Sequence, residues 1–277
     1  MPAEPDVLSR IITSVRARVW RLKVQCPPSR LRDSPLYNRE PQDFRRAFDG
    51  RGVRLIAEVK FASPSKGSLY SAAPSPDAAL RIASDYLRQG AAAVSVLTEP
   101  EFFLGDIAFL RRVREVHPDA FLLMKDFVLD VYQLEQARAA GADCVLLICA
   151  VLGRRLETLL RSAEALGLSA LVEVHTEAEL QAARQAGASL IGVNTRDLRT
   201  LETDLAVAER LARAPKALYT AKGRVATHDE PVLIAESGVR SRADVERLSA
   251  FGYRGFLVGT ALMQSGSPGA ALRELLG

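Results

Sequence analysis

Short apolar, β-branched runs alternate along the chain with longer stretches in which apolar residues recur at helical spacing. The runs Val53–Val59, Ala93–Leu97, Ala120–Met124, Cys144–Cys149, Ser169–Val174, Ser189–Val193, Pro231–Ala235 and Gly255–Val258 predict eight strands. Val145-Leu-Leu-Ile148 is apolar on both faces, as in parallel strands buried on both sides. Start signals mark the helical segments between them. Thr176-Glu-Ala-Glu179 and Ser241-Arg-Ala-Asp244 read as capping boxes, and Ser267-Pro268 as an N-cap followed by proline. Gly90, Gly141, Gly167, Gly187 and Gly252 each close a helical stretch just before a strand, where a left-handed residue ends a helix.

Eight strand–helix units in 277 residues predict an α/β protein built as a single (β/α)8 TIM barrel over residues 51–277. The glycine-rich dinucleotide turn of a Rossmann sheet is absent after the first strand. Residues 1–50 form an N-terminal helical extension and loop. Asp6 to Lys23 has helical period and is expected over the bottom or side of the barrel, and Cys26–Pro41 reads as a proline-rich loop. Ala212–Glu230 lengthens the connection into the seventh strand and is expected as a surface excursion on the N-terminal face.

Composition narrows the classes. With 48% hydrophobic and 25% charged residues the chain is globular. Its longest uncharged apolar stretch, Cys144 to Leu152, is far short of the roughly 18 residues a membrane span needs. The start, Met-Pro-Ala-Glu-Pro, lacks a basic segment followed by an apolar one, so a cytoplasmic protein with no membrane partner is expected. The net charge of +4 is scattered through amphipathic stretches and aromatics are only 6%, which reads as solvated helix faces and no nucleic-acid surface. Three cysteines (Cys26, Cys144, Cys149) and three histidines lack metal-ligand spacing, so neither a metal nor a disulfide framework is expected. Of the 37 basic residues only six are lysines, and lysine, unlike arginine, can be tuned to release its proton.

In a TIM barrel the chemistry lies where strands end. The first strand ends in Glu58-Val-Lys60, followed by Ser63-Pro-Ser-Lys-Gly67. Thr98-Glu99 and Phe102-Phe103 follow the second, and Lys125-Asp-Phe127 ends the third. Glu173-Val-His175, Asn194-Thr-Arg196-Asp197, Glu236-Ser-Gly238 and Gly259-Thr260 follow the fifth to eighth. Lysines and carboxylates thus converge on one mouth, where each can push the other's pKa toward proton transfer near neutrality. Glu58 and Lys60, two apart on one strand, suit an internal ion pair as well as an acid/base couple. Ser237-Gly238 and Gly259-Thr260 place bare backbone N–H groups where barrels hold phosphate, and Ser63 adds a hydroxyl. His175 reads as the residue leading into a helix rather than as a base. Phe102, Phe103 and Phe127 fit either core packing or a planar apolar substrate group.

From Leu55 to Met263 these motifs resemble the indole-3-glycerol phosphate synthase family. The resemblance is carried by Ile56-Ala-Glu58-Val-Lys60 with Ser63-Pro-Ser-Lys-Gly67, Ser95-Val-Leu-Thr-Glu99, Lys125-Asp-Phe127 and Gly141-Ala-Asp-Cys-Val-Leu-Leu-Ile148. It continues through Leu171-Val-Glu173-Val-His175, Val193-Asn194-Thr-Arg196-Asp-Leu198, Glu236-Ser-Gly238 and Leu257-Val-Gly259-Thr-Ala-Leu-Met263. It implies ring closure of 1-(2-carboxyphenylamino)-1-deoxyribulose 5-phosphate, with loss of carbon dioxide and water, in tryptophan biosynthesis and with no cofactor. By resemblance Lys125 is the general acid at the ribulose carbonyl, and Glu173 and Lys60 serve the dehydration. Glu58 tunes the lysines, and Asn194 and Glu236 hold substrate hydroxyls. Arg196 reaches the anthranilate carboxylate, and Phe127, Leu146 and Phe103 line the aromatic pocket. Ser63, Ser237, Gly238, Gly259 and Thr260 bind the phosphate. Thr195 and Thr260 depart from the asparagine and the serine usual at those places. The expected partner is the small phosphorylated substrate alone, and the expected state a monomer or weak homodimer. Three rivals remain: phosphoribosylanthranilate isomerase, a Schiff-base aldolase with Lys125 as nucleophile, and a silent barrel used for binding.

Overall fold

The computed structural model describes residues 6–50, 52–197, 200–214 and 230–277. Eight parallel strands close into a barrel: β1 (Arg54–Val59), β2 (Ala93–Leu97), β3 (Leu122–Lys125), β4 (Cys144–Ile148), β5 (Ser169–Val174), β6 (Leu190–Asn194), β7 (Val232–Glu236) and β8 (Gly255–Val258). Each pairs with its neighbours in chain order, and β1 closes the ring against β8 with Arg54 opposite Gly255. The fold class is the one expected. Among the described residues no helix is long and apolar enough to cross a membrane.

Strand ends shift in a way that bears on chemistry. β3, β6 and β7 each run a residue further than the apolar runs suggest, ending on Lys125, Asn194 and Glu236. Those side chains therefore hang from backbone fixed in the ladder, with Leu97 opposite Lys125 and Asn194 opposite Glu236. β4 instead stops at Ile148, and Cys149 opens the short helix Cys149–Leu152. Helix punctuation follows the sequence. Gly141 and Gly187 end their helices in left-handed conformation at φ 84° and 86°, where a Cβ would be strained. Ser241 and Asp244 form a complete capping box.

The N-terminal helix Val7–Gln25 does not lie at the bottom or side of the barrel as expected; it sits on the rim at the strands' C-terminal ends. Arg18 Nη2 donates to both oxygens of Asp126 at 2.7 and 2.9 Å, and Nη1 donates to the Thr98 carbonyl at 3.3 Å. Tyr132 Oη donates to the Leu22 and Cys26 carbonyls, and Lys23 pairs with Asp130 at 2.7 Å. Thr98, Asp126 and Asp130 all follow strand ends, which fixes the helix beside the mouth. The stretch read as loop contains a short helix, Pro28–Arg32, and descends the flank through Arg32 and Tyr37, both bonded to Glu135.

At the bottom the 3-10 turn Phe44–Phe48 plugs the barrel, with both rings buried and 6.1 Å apart. A Cβ on Gly255 would collide with the Phe48 ring, so β8 carries a glycine there. Beside the plug, the wholly buried Asp143 accepts from Arg39 at 2.7 Å, from the Gln42 and Leu122 N–H groups at 2.9 Å, and from the buried Arg114. Of the Ala212–Glu230 connection, residues 215–229 lie outside the described residues, as does Leu198 of the sixth motif.

Candidate active site

The C-terminal ends of the strands enclose a cavity of about 420 Å³. Glu58, Lys60, Lys125, Glu173, Asn194 and Glu236 all line it, as do Arg196, Phe103, Phe127 and Leu146. Two ion-paired groups organise the polar wall. Lys60 Nζ stands 2.7 Å from Glu58 Oε1, and Lys125 Nζ stands 3.1 Å from Glu236 Oε2 and 3.6 Å from Glu173 Oε2. Glycines make room for these carboxylates. A Cβ on Gly192 would strike Glu236 Oε1 and come within 3.0 Å of its Cδ; one on Gly259 would do the same to Glu58.

Burial alone would push the Lys125 ammonium toward neutrality, but Glu236, Glu173 and Glu58 outweigh it and raise the pKa above the ordinary lysine value. Glu236 answers in kind. Burial pushes its carboxyl up to about 7, aided by Glu173 and Glu58 and opposed by Lys125. For Glu58, burial raises the pKa, yet Lys60, Lys125 and Arg196 more than reverse it, holding the carboxylate below its usual range. The wall thus holds a proton donor beside a carboxyl that titrates near neutrality, the condition for acid/base work.

Part of the lining is apolar. Phe103 and Phe127 lie with ring centroids 6.1 Å apart, tilted by 37°, beside Leu146. Asn194 Oδ1 accepts the Arg196 backbone N–H at 3.0 Å, and the Arg196 guanidinium donates to the Leu201 carbonyl. Burial and nearby Arg240 lower the pKa of Arg196, against the pull of Glu58.

Backbone N–H groups form the third wall. Ser237 and Gly238 turn left-handed in succession at φ 65° and 75°. For the serine this conformation costs about 1–3 kcal/mol, a strain that persists mainly at functional sites. Thr195 Oγ1 ties the turn down by donating to the Ser237 carbonyl at 3.1 Å, so threonine at this departure from the family pattern has its own work. After the neighbouring strand β8 no side chain caps the turn Thr260–Met263, which leaves N–H groups available beside Gly259 and Thr260. Ser63 is the exception among the expected site residues. It lies in a two-strand hairpin with Gly67, its Oγ 3.5 Å from Ser65 Oγ, and does not line the cavity.

Sequence reasoning passed over four polar lining groups: Lys66, Asp126, Arg240 and Gln264. Lys66 lies in the first motif, seven residues past Val59, and Arg240 four residues past Glu236, so listing every cation within seven residues of a strand end would have found both. Among the described residues no three His, Cys, Asp or Glu side chains gather as ligands of a metal would.

The closed ring of eight parallel strands, with ionisable side chains gathered at its mouth, defines a TIM barrel. The chain belongs to the indole-3-glycerol phosphate synthase family, whose profile matches residues 8–275. It is 42% identical over 274 residues to indole-3-glycerol phosphate synthase of Dehalococcoides mccartyi strain CBDB1, covering 98% of this chain and all (100%) of the relative. The same-named protein of Endomicrobium trichonymphae is 38% identical, covering 97% and 99%. A crystal structure of 3-hexulose-6-phosphate synthase from Salmonella typhimurium superposes with a TM-score of 0.62. It is 14% identical and covers 80% of this chain and 96% of that one, a likeness of fold alone.

Proposed function

We propose that this chain converts 1-(2-carboxyphenylamino)-1-deoxyribulose 5-phosphate into indole-3-glycerol phosphate, carbon dioxide and water, by general acid/base catalysis and without cofactor or metal. The observation that carries this reading is Lys125, a largely enclosed ammonium held between Glu236 and Glu173 at the end of β3. A Schiff-base lysine needs a neutral amine, which burial favours; here the carboxylates reverse that effect and favour a proton donor.

In the proposed reaction the ring carbon bearing the carboxylate attacks the ribulose carbonyl while Lys125 gives its proton to the carbonyl oxygen. The bond to the carboxylate then breaks, carbon dioxide leaves, and the electron pair restores the aromatic ring. The new hydroxyl departs as water on a proton from one member of the Lys60–Glu173 pair. The other member takes the proton from the neighbouring carbon. Net uptake of one proton from solvent balances the lost carboxylate. Glu58, 2.7 Å from Lys60, tunes that lysine, and Asn194 and Glu236 hold substrate hydroxyls. Arg196 receives the anthranilate carboxylate, and Phe103, Phe127 and Leu146 sandwich the ring. The phosphate rests on Ser237, Gly238, Gly259 and Thr260, with Lys66 of the hairpin after β1 lining the same cavity.

All these groups come from one chain, which supports a monomer or weak homodimer as the working state. The charged phosphorylated substrate, which does not cross a bilayer unaided, supports a cytoplasmic location. The test is indole-product absorbance and fluorescence with the carboxyphenylamino-deoxyribulose phosphate, in chelator and without added cofactor. Product formation is expected. Phosphate-sensitive binding without product would replace this reading with a silent barrel.

A further inference from the structure

The residue after β5, His175, is enclosed: both ring nitrogens are shut off from water, and neither makes a hydrogen bond among the described residues. Each nitrogen instead faces a carboxylate. Nε2 stands 3.5 Å from Glu173 Oε1, and Nδ1 stands 3.6 Å from Glu179 Oε2. Glu173 Oε1 is itself buried without a hydrogen bond, while Oε2 looks toward Lys125. Glu179 is fixed by the backbone. Its Oε2 accepts the His175 N–H at 2.7 Å, and its own N–H donates to Thr176 Oγ1 at 3.2 Å. The cap of the helix Glu177–Ala186 thus aims a carboxylate at the imidazole.

A neutral imidazole here would set a lone pair against one of the two carboxylates, whereas an imidazolium offers an N–H to each. Burial opposes that charge, but Glu179 and Glu173 prevail and raise the pKa, and Glu236 across on β7 adds to them. Lys125 lies beyond Glu173, on its far oxygen. From the helix Cys149–Leu152, the Cys149 thiol donates to the Glu179 carbonyl; burial pushes it up to about 12, so it contributes no charge.

We infer that His175, held as an imidazolium between Glu179 and Glu173, is a positioning residue that fixes the Glu173 carboxylate and gives it a positive partner on the side away from Lys125. The inference rests on Glu173 acting as an acid/base group of the ring-closing reaction. It assigns His175 no contact with substrate. Its effect reaches the reaction through Glu173, which two cations then hold from opposite sides.

The test is steady-state ring closure from about pH 6 to about pH 9 by the wild type, His175→Gln, Glu179→Gln and the double variant. His175→Gln should lower kcat about tenfold with KM within about twofold, because Glu173 then lacks the cation that fixes its carboxylate. The alkaline limb that reports loss of the His175 proton should vanish. Glu179→Gln should weaken kcat in the wild type and change nothing further in the His175→Gln background. A His175→Gln enzyme with wild-type kcat and pH profile overturns the inference, as does simple additivity in the double variant. Should His175→Gln fold poorly, Glu179→Gln decides on its own, because this side chain is 23% exposed. An unchanged pH profile in that variant overturns the inference. A wild type that makes no indole product overturns the ring-closing reading and this inference together; turnover beside an unaffected His175→Gln overturns this inference alone.

Discussion

Gly192→Ala should separate activity from stability. Gly192 sits in the middle of β6, and an added methyl would strike Glu236 Oε1, with Glu236 Cδ at 3.0 Å and Leu171 Cδ1 at 3.3 Å. The Glu236 carboxylate cannot retreat toward Lys125, which already stands 3.1 Å from Oε2, so it must swing out of that bond by roughly 1 Å. At an effective dielectric of about 20, stretching the pair to roughly 4.1 Å weakens the attraction by about 1.3 kcal/mol, near tenfold in rate. Misplacement of a group that holds the substrate carries the total toward about 100-fold. Strand propensity runs the other way, since alanine loses less backbone entropy than glycine, so Tm should change little. Circular dichroism melting and steady-state kinetics on one preparation read both quantities. A kcat within about twofold of wild type at unchanged Tm would refute the claim that this glycine exists to seat Glu236.

Lys125→Met should lower kcat by about 10²–10⁴ while leaving inorganic phosphate competition intact, because it removes an acid needed in the transition state; an unchanged rate refutes the role. Glu236 carries a linkage signature. Its carboxyl keeps a proton up to about 7 in the folded chain against 4.5 ordinarily, so between those values the folded state binds more protons than the unfolded one. Its contribution to stability therefore falls as pH rises through that window. Glu236→Gln should accordingly raise Tm relative to wild type more at pH 8 than at pH 5, and equal differences at both would count against the shift. Asp143→Asn should cost about 3–5 kcal/mol in urea unfolding, since it strips the anion from the buried Arg114 and from Arg39; a loss below about 1 kcal/mol would contradict that account.

The barrel was legible in the chain because the strands are short apolar runs and all but β4 lead into a polar group. Glycine stops such as Gly141 and Gly187 mark the helix ends independently of hydrophobicity. The acid/base wall was legible for the same reason: strand ends in this fold point into one mouth, so Glu58, Lys125, Glu173 and Glu236 could be placed together before any distance was known. What escaped notice depends on separation along the chain. Arg18 meets Asp126 across 108 residues and Arg114 meets Asp143 across 29, and neither pair has a local pattern. Asp126, unremarked inside Lys125-Asp-Phe127, is the anchor by which the N-terminal helix reaches the rim. Ser63 shows the converse. Its motif is local and recognisable, but a hairpin turns the hydroxyl toward Ser65 rather than into the cavity.

The N-terminal segment has a consequence for how the chain is made. Its contacts reach forward to strand ends and barrel bottom: Phe44 N–H to Ser169, Arg45 to the Glu230 carbonyl, and Arg254 back to the Phe48 carbonyl across 206 residues. The helix Val7–Gln25 can find Thr98, Asp126 and Asp130 by mid-chain, but the partners of the turn Phe44–Phe48 at Glu230 and Arg254 emerge only near the end. Loop closure over such spans is slow to be rewarded, so the turn must wait until β8 exists to receive Phe48. It acts as a latch that shuts only on a completed ring.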